Sequence, residues 1–152
     1  MKTAARVREM SDIFRRHHGA KLTISVDDGG VGGGVVDRLK EQGVTVKAVS
    51  FGAAAEGQMQ ARFRNRLSEM YWVLQEALRN GQLRIPSDLP NGLTPRLWAQ
   101  LTQIEWELES DKAIRVHKRG FDDHGPSPDL ADALALALEA KNREKKGVGV
   151  WI

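Results

Sequence analysis

The stretch from Lys21 to Phe51 limits the fold more than any other. Lys21–Val26 alternates and ends apolar, as a short strand does, and Gly34–Gln42 has helical spacing. Gly43 stops that helix, and "VTVKAVSF" supplies a second extended run. A strand–helix–strand unit closes through a right-handed crossover into a parallel pair. The chain is therefore expected to be α/β, with ligands at the C-terminal ends of its strands. At that end lies "DDGGVGGG", two aspartates followed by a burst of glycines.

Two chemistries compete for this loop. A dinucleotide fingerprint needs G-x-G-x-x-G, but counting from Gly30 the third glycine falls on Val35. The acid expected near the end of the next strand is replaced by Ser50-Phe51-Gly52, and no Gly-Lys-Ser/Thr occurs in the chain. A phosphate-cradling loop over Gly29–Gly34 is thus the weaker reading. In the other, Asp27 presents a carboxylate at the strand end and the glycines leave room around it. A plain turn or helix cap made by Asp27 or Asp28 explains the same residues.

The remainder alternates between helices and short strands. Thr3–His17 reads as a helix with Val7, Met10, Ile13 and Phe14 on a buried stripe. "ARFRNRLSEMYWVLQEALRNG" is the clearest helix, with Phe63, Leu67, Met70, Tyr71, Leu74, Ala77 and Leu78 on one face and Gly81 as its stop. "QLRIPSDLP" reads as a short strand and turn, and "TPRLWAQLTQI" as a short helix. "WELESDKAIRVHK" reads as a hairpin turning near Ser110-Asp111. A last helix runs from Pro128 to about Lys145. Residues 1–152 are expected to form one domain, with 141–152 a basic tail.

The chain has no cysteine, so disulfides, thiolate metal sites and a cysteine nucleophile are excluded. A metal would have to sit on carboxylates, histidines or water. A net charge of +3, gathered in "RFRNR", "HKR" and "KNREKK", is compatible with a polyanionic partner but is explained first by solvated surface. The N-terminal segment has no apolar signal-like run, which gives a cytoplasmic expectation. His17, His18, His117 and His124, with Asp122 and Asp123, are weaker candidates. Trp72, Trp98 and Trp106 are expected to be core or partly buried.

The strongest carboxylate signal lies in "GPSPDLADALALALEA". Ser127 suits an N-cap and Pro128 the first helical position. Asp129 in the first turn satisfies the helix dipole. Asp132 is the only charge between Leu130 and Leu138, and burying it costs several kcal/mol unless it is paired or bound to a metal. At i, i+3 spacing Asp129 and Asp132 share a face. Clustered carboxylates suit Mg²⁺ and are what two-metal phosphodiester cleavage requires.

"VDDGGVGGGVVDRLKEQG", "RNRLSEMYWVLQEAL" and "SPDLADALALAL", in this order and over roughly Ala20 to Ala140, resemble the C-terminal nuclease domain of the large terminase subunit of tailed bacteriophages. The resemblance implies a ribonuclease H-like mixed sheet flanked by helices. It implies a metal-dependent endonuclease that cuts concatemeric viral DNA during packaging. By that likeness Asp27 is the family's second catalytic acid and Asp132, with Asp129 beside it, the third; together they would hold Mg²⁺ or Mn²⁺. Arg64, Lys118 and Arg119 are candidate contacts to the backbone of double-stranded DNA, bound without sequence preference.

In that family a first catalytic aspartate lies on a strand ahead of the helix that opens this chain, and a packaging ATPase precedes the nuclease. The expectation is therefore a partial domain lacking its first strands. The rival reading is an inactive remnant that binds DNA or other terminase or portal components. Without its first strands, apolar helix faces that include Val7, Ile13 and Phe14 are expected to be uncovered, and the edge at Leu22–Val26 is expected to pair with a second copy or with a rearranged segment such as the C-terminal "VGVWI".

Overall fold

In a computed structural model the described residues are 2–18, 22–111, 113–118 and 127–145. They form five α-helices and four strands: α1 (Lys2–His18), β1 (Ile24–Asp27), α2 (Gly32–Glu41), β2 (Val46–Val49), α3 (Arg66–Arg79), α4 (Leu93–Leu101), β3 (Ile104–Leu108), β4 (Ile114–Lys118) and α5 (Asp129–Lys145). The chain divides into two compact units. One comprises 1–51 and 136–152, the other 52–135.

In the first unit β1 and β2 pair in parallel around α2, with Ile24 opposite Val46 and Asp27 opposite Val49. This is the expected strand–helix–strand unit. Val36 and Leu39 of α2 are buried, as is Val49 of β2. The helix ends in a Schellman motif: Gly43 (φ 71°) donates to Lys40 O and Val44 to Leu39 O. On the opposite strand, Lys47 meets Glu139 of α5 at 3.0 Å.

Helix α1 departs from expectation. Met10, Ile13 and Phe14 are 40–49% exposed, whereas Ala4 and Ser11 are buried. Those two residues, seven apart, lie on one face, and α1 packs against α2. The large apolar stripe is left turned outward.

In the second unit β3 and β4 form the expected antiparallel hairpin, Trp106 opposite Val116. The other edge of β4 is taken by residues 62–64: Arg64 donates to Ile114 O, Ile114 donates to Arg62 O, and Phe63 bridges Ile114. Ala55, Phe63 and Ile114 make a small core against which Trp72 packs. Asn65, extended, caps α3 by accepting from the Ser68 amide and hydroxyl, and Ser68 Oγ accepts from the Val116 amide. One capping residue therefore ties α3 to β4.

Residues 82–89 form no strand, contrary to the sequence reading. Thr94 Oγ1 donates to Pro86 O and accepts from Leu89 N–H, so a side chain satisfies backbone groups that a strand partner would otherwise have met. The sheet pairings among the described residues are thus two separate two-stranded ladders, one parallel and one antiparallel.

Candidate functional site

In the first unit, Asp27 ends β1, and the backbone pairing runs one residue further, through Asp28 N–H to Val49 O. The chain then reverses in a tight glycine turn. Gly29 N–H donates to Asp27 Oδ1 at 3.1 Å and Gly32 N–H to Gly29 O at 3.0 Å, with Gly30 at φ 56°. A Cβ on Gly32 would lie 1.7 Å from the Asp27 carbonyl oxygen, so only glycine fits there. The turn fixes the Asp27 side chain through one oxygen. Among the described residues it leaves Oδ2 without a hydrogen bond.

In the second unit, Asp132 lies in the first turns of α5. That helix end is held by α4, whose Gln100 Oε1 accepts from the amides of Leu130 and Ala131. Two long-range partners converge on the Asp132 carboxylate. The Tyr71 hydroxyl, from α3, donates to Oδ1 at 2.6 Å. Lys118 Nζ, at the end of β4, lies 2.7 Å from Oδ1 and 2.8 Å from Oδ2. The ammonium is also 5.8 Å from the centre of the Tyr71 ring. Burial, the hydrogen bond to Asp132 and that carboxylate's charge all push the Tyr71 phenol well above its ordinary pKa. The half-buried carboxylate is thereby paired and hydrogen-bonded within the protein.

The other predicted residues fall as follows. Asp129 is exposed in the first turn of α5. Arg64 is engaged by Glu109 and by Asp111 (2.6 Å), and those hydrogen bonds hold its pKa above the usual value. Asp111 is correspondingly lowered, first by the Ala113 amide and then by Arg64. His117 meets Glu107 at 2.7 Å. Arg66 is buried against Glu69. Arg62 stacks over Trp72 at 4.8 Å and Phe63 at 5.2 Å. Arg119, Asp122, Asp123, His124 and the tail 146–152 lie outside the described residues.

Asp27 thus belongs to the first unit, and Asp129, Asp132 and Lys118 to the second. Among the described residues no three Asp, Glu or His side chains gather into a group able to hold a metal. The helical spacing places Tyr71 on a core face and assigns it no chemistry. The signal that could have marked it is chemical, since a buried tyrosine hydroxyl needs a partner. No helix among the described residues is long and apolar enough to cross a membrane.

No protein-family model and no curated protein matches the chain. Solved structures do. The nuclease domain of the large terminase subunit gp2 of bacterial virus Sf6 superposes with a TM-score of 0.58 at 22% identity, over 83% of this chain and 68% of that one. A point mutant of the same domain, solved with manganese, gives 0.58 and 22% over 83% and 69%. The mutant solved with calcium gives 0.58 and 22% over 83% and 68%. The chain has the ribonuclease H-like fold of these nuclease domains.

Proposed function

We propose that the chain is the nuclease domain of a phage terminase large subunit, a metal-dependent endonuclease that cuts concatemeric viral DNA in the host cytoplasm during packaging. One observation carries the reading. A fold like that of terminase nuclease domains bears one carboxylate at the C-terminal end of β1 and another, half-buried, at the start of α5. Asp27 and Asp132, with Asp129 nearby on α5, would hold Mg²⁺ or Mn²⁺, and their hard oxygens suit either ion. The fit differs between them. Asp27 offers Oδ2, whereas Lys118 must leave Asp132 before that carboxylate can face a dication.

The chemistry that a metal would supply there is activation of a water and stabilisation of the leaving oxygen. The chain's own residues do the positioning. Gly29 N–H holds the Asp27 rotamer and the Tyr71 hydroxyl holds Asp132 Oδ1. Lys118 neutralises Asp132; drawn to a phosphate, it would join Arg119 in backbone contacts that carry no sequence preference, and Arg64 would join them on leaving Glu109 and Asp111. The partners are then double-stranded DNA and the other terminase and portal components.

A second reading, a module that binds DNA or protein without cutting, is favoured by the Lys118–Asp132 pair, which satisfies Asp132 with no cation. Supercoiled plasmid incubated with Mn²⁺ separates the two. Nicking by the wild type that is lost in Asp27→Asn and in Asp132→Asn supports the nuclease. DNA binding that falls steeply with salt, without nicking, supports the module. Nicking unchanged in both variants refutes the assignment of the acids.

A further inference from the structure

Away from these carboxylates, the second unit holds a cleft of about 190 Å³ between α3, α4 and β3. Its walls include three of the chain's four tryptophans, Trp72, Trp98 and Trp106, over an aliphatic floor that includes Leu74 and Leu101. Trp72 and Trp106 meet edge to face with centroids 5.4 Å apart. Trp98 and Trp106 remain 44% and 48% exposed. So much aromatic surface left in water around a concavity marks a binding site more readily than a core.

The lining also defines the ligand. An apolar cavity of about 150 Å³ takes up a benzene-sized ring, so this cleft accommodates one ring with space toward a second. Among the described residues the lining is apolar apart from Gln75, Thr102 and Glu105, and burying a phosphate or carboxylate against such walls is costly, so a neutral ligand is favoured. Among the described residues the Gln75 amide, also in the lining, makes no hydrogen bond and is available to a polar ring edge. The Tyr71 ring lines the same cleft while its hydroxyl holds Asp132. We propose that this cleft binds a neutral planar aromatic group of one or two rings. The assignment stands independently of the nuclease reading.

Indole is the probe, titrated into the full chain without metal. The tryptophan indole N–H signals and the ring signals of Tyr71, the chain's only tyrosine, are followed by NMR. Saturable shifts at Tyr71 and at the cleft tryptophans are expected. Leu101→Trp and Leu78→Phe fill the cleft and should each weaken binding by about tenfold or more, with unchanged circular dichroism; if one fails to fold, the other decides. N-acetyltryptophanamide binding as tightly as indole assigns a side chain of a protein segment. Weaker binding assigns a free small molecule, and either result upholds the site. No saturable shift up to the solubility of indole overturns the proposal. So does affinity unchanged in the folded filled variants, or adenosine monophosphate binding as tightly as indole.

Discussion

An ammonium 2.7 Å and a phenol hydroxyl 2.6 Å from the same Asp132 oxygen make that carboxylate's environment the first thing to perturb. Lys118→Met removes the cation and leaves a half-buried carboxylate held only by Tyr71. The metal-free melting curve should report a loss of about 1–3 kcal/mol. Mn²⁺ should then bind more tightly, because it no longer competes with the lysine. Melting with and without Mn²⁺ measures both effects, and unchanged affinity would show that Lys118 does not guard the acid. Tyr71 gives a pH test. Its folded pKa lies above the unfolded value of about 10, so the stability it contributes is complete below that pH and is lost as pH rises beyond it. With one tyrosine in the chain, ultraviolet titration should show no tyrosinate near pH 10 until the protein unfolds, and Tyr71→Phe should be less sensitive to alkali. The sequence showed that Asp132 needed a partner. It did not show which, because Lys118 lies 14 residues away and Tyr71 lies 61 away, and only the folded chain brings either to it.

At the level of elements, local chemistry was readable where one residue type determines one conformation. Gly43 and Gly81 end α2 and α3 with positive φ and Schellman bonds, as their positions in the sequence indicated. The strand–helix–strand unit and the β3–β4 hairpin were legible from their periodicity for the same reason. The stripe on α1 was legible as apolar, but periodicity alone does not identify the surface that covers it. The short strand expected within 82–90 did not form: Gln82 and Leu83 N–H donate to Ala77 O, and Thr94 Oγ1 meets Pro86 O and Leu89 N–H. Two element-scale variants test the geometry. Gly32→Ala sets a methyl against the Asp27 carbonyl and should cost roughly 2 kcal/mol or more while displacing the β1–α2 turn. Asn65→Ala should cost about 1 kcal/mol through the lost cap. Because Ser68 also accepts from Val116, the loss should spread to amide exchange in β4; protection unchanged there would separate cap from sheet.

At the scale of the whole molecule, β1 pairs among the described residues with β2 alone, Ser25 Oγ is buried without a partner, and Met10, Ile13 and Phe14 are turned outward. A strand edge without a partner among the described residues, together with an apolar helix face turned outward, favours association. Light scattering should therefore show a dimer or larger species that Phe14→Glu shifts toward monomer, whereas a clean monomer at high concentration would contradict this. The proposed nuclease depends on Asp27 and on Asp132 as carboxylates that bind metal. Calorimetric titration of Mn²⁺ into wild type, Asp27→Asn and Asp132→Asn tests it most directly. Saturable binding by the wild type is expected, weakened by roughly tenfold or more in each variant, as when one of few carboxylate ligands is removed. Equal Mn²⁺ affinity in all three proteins would contradict it.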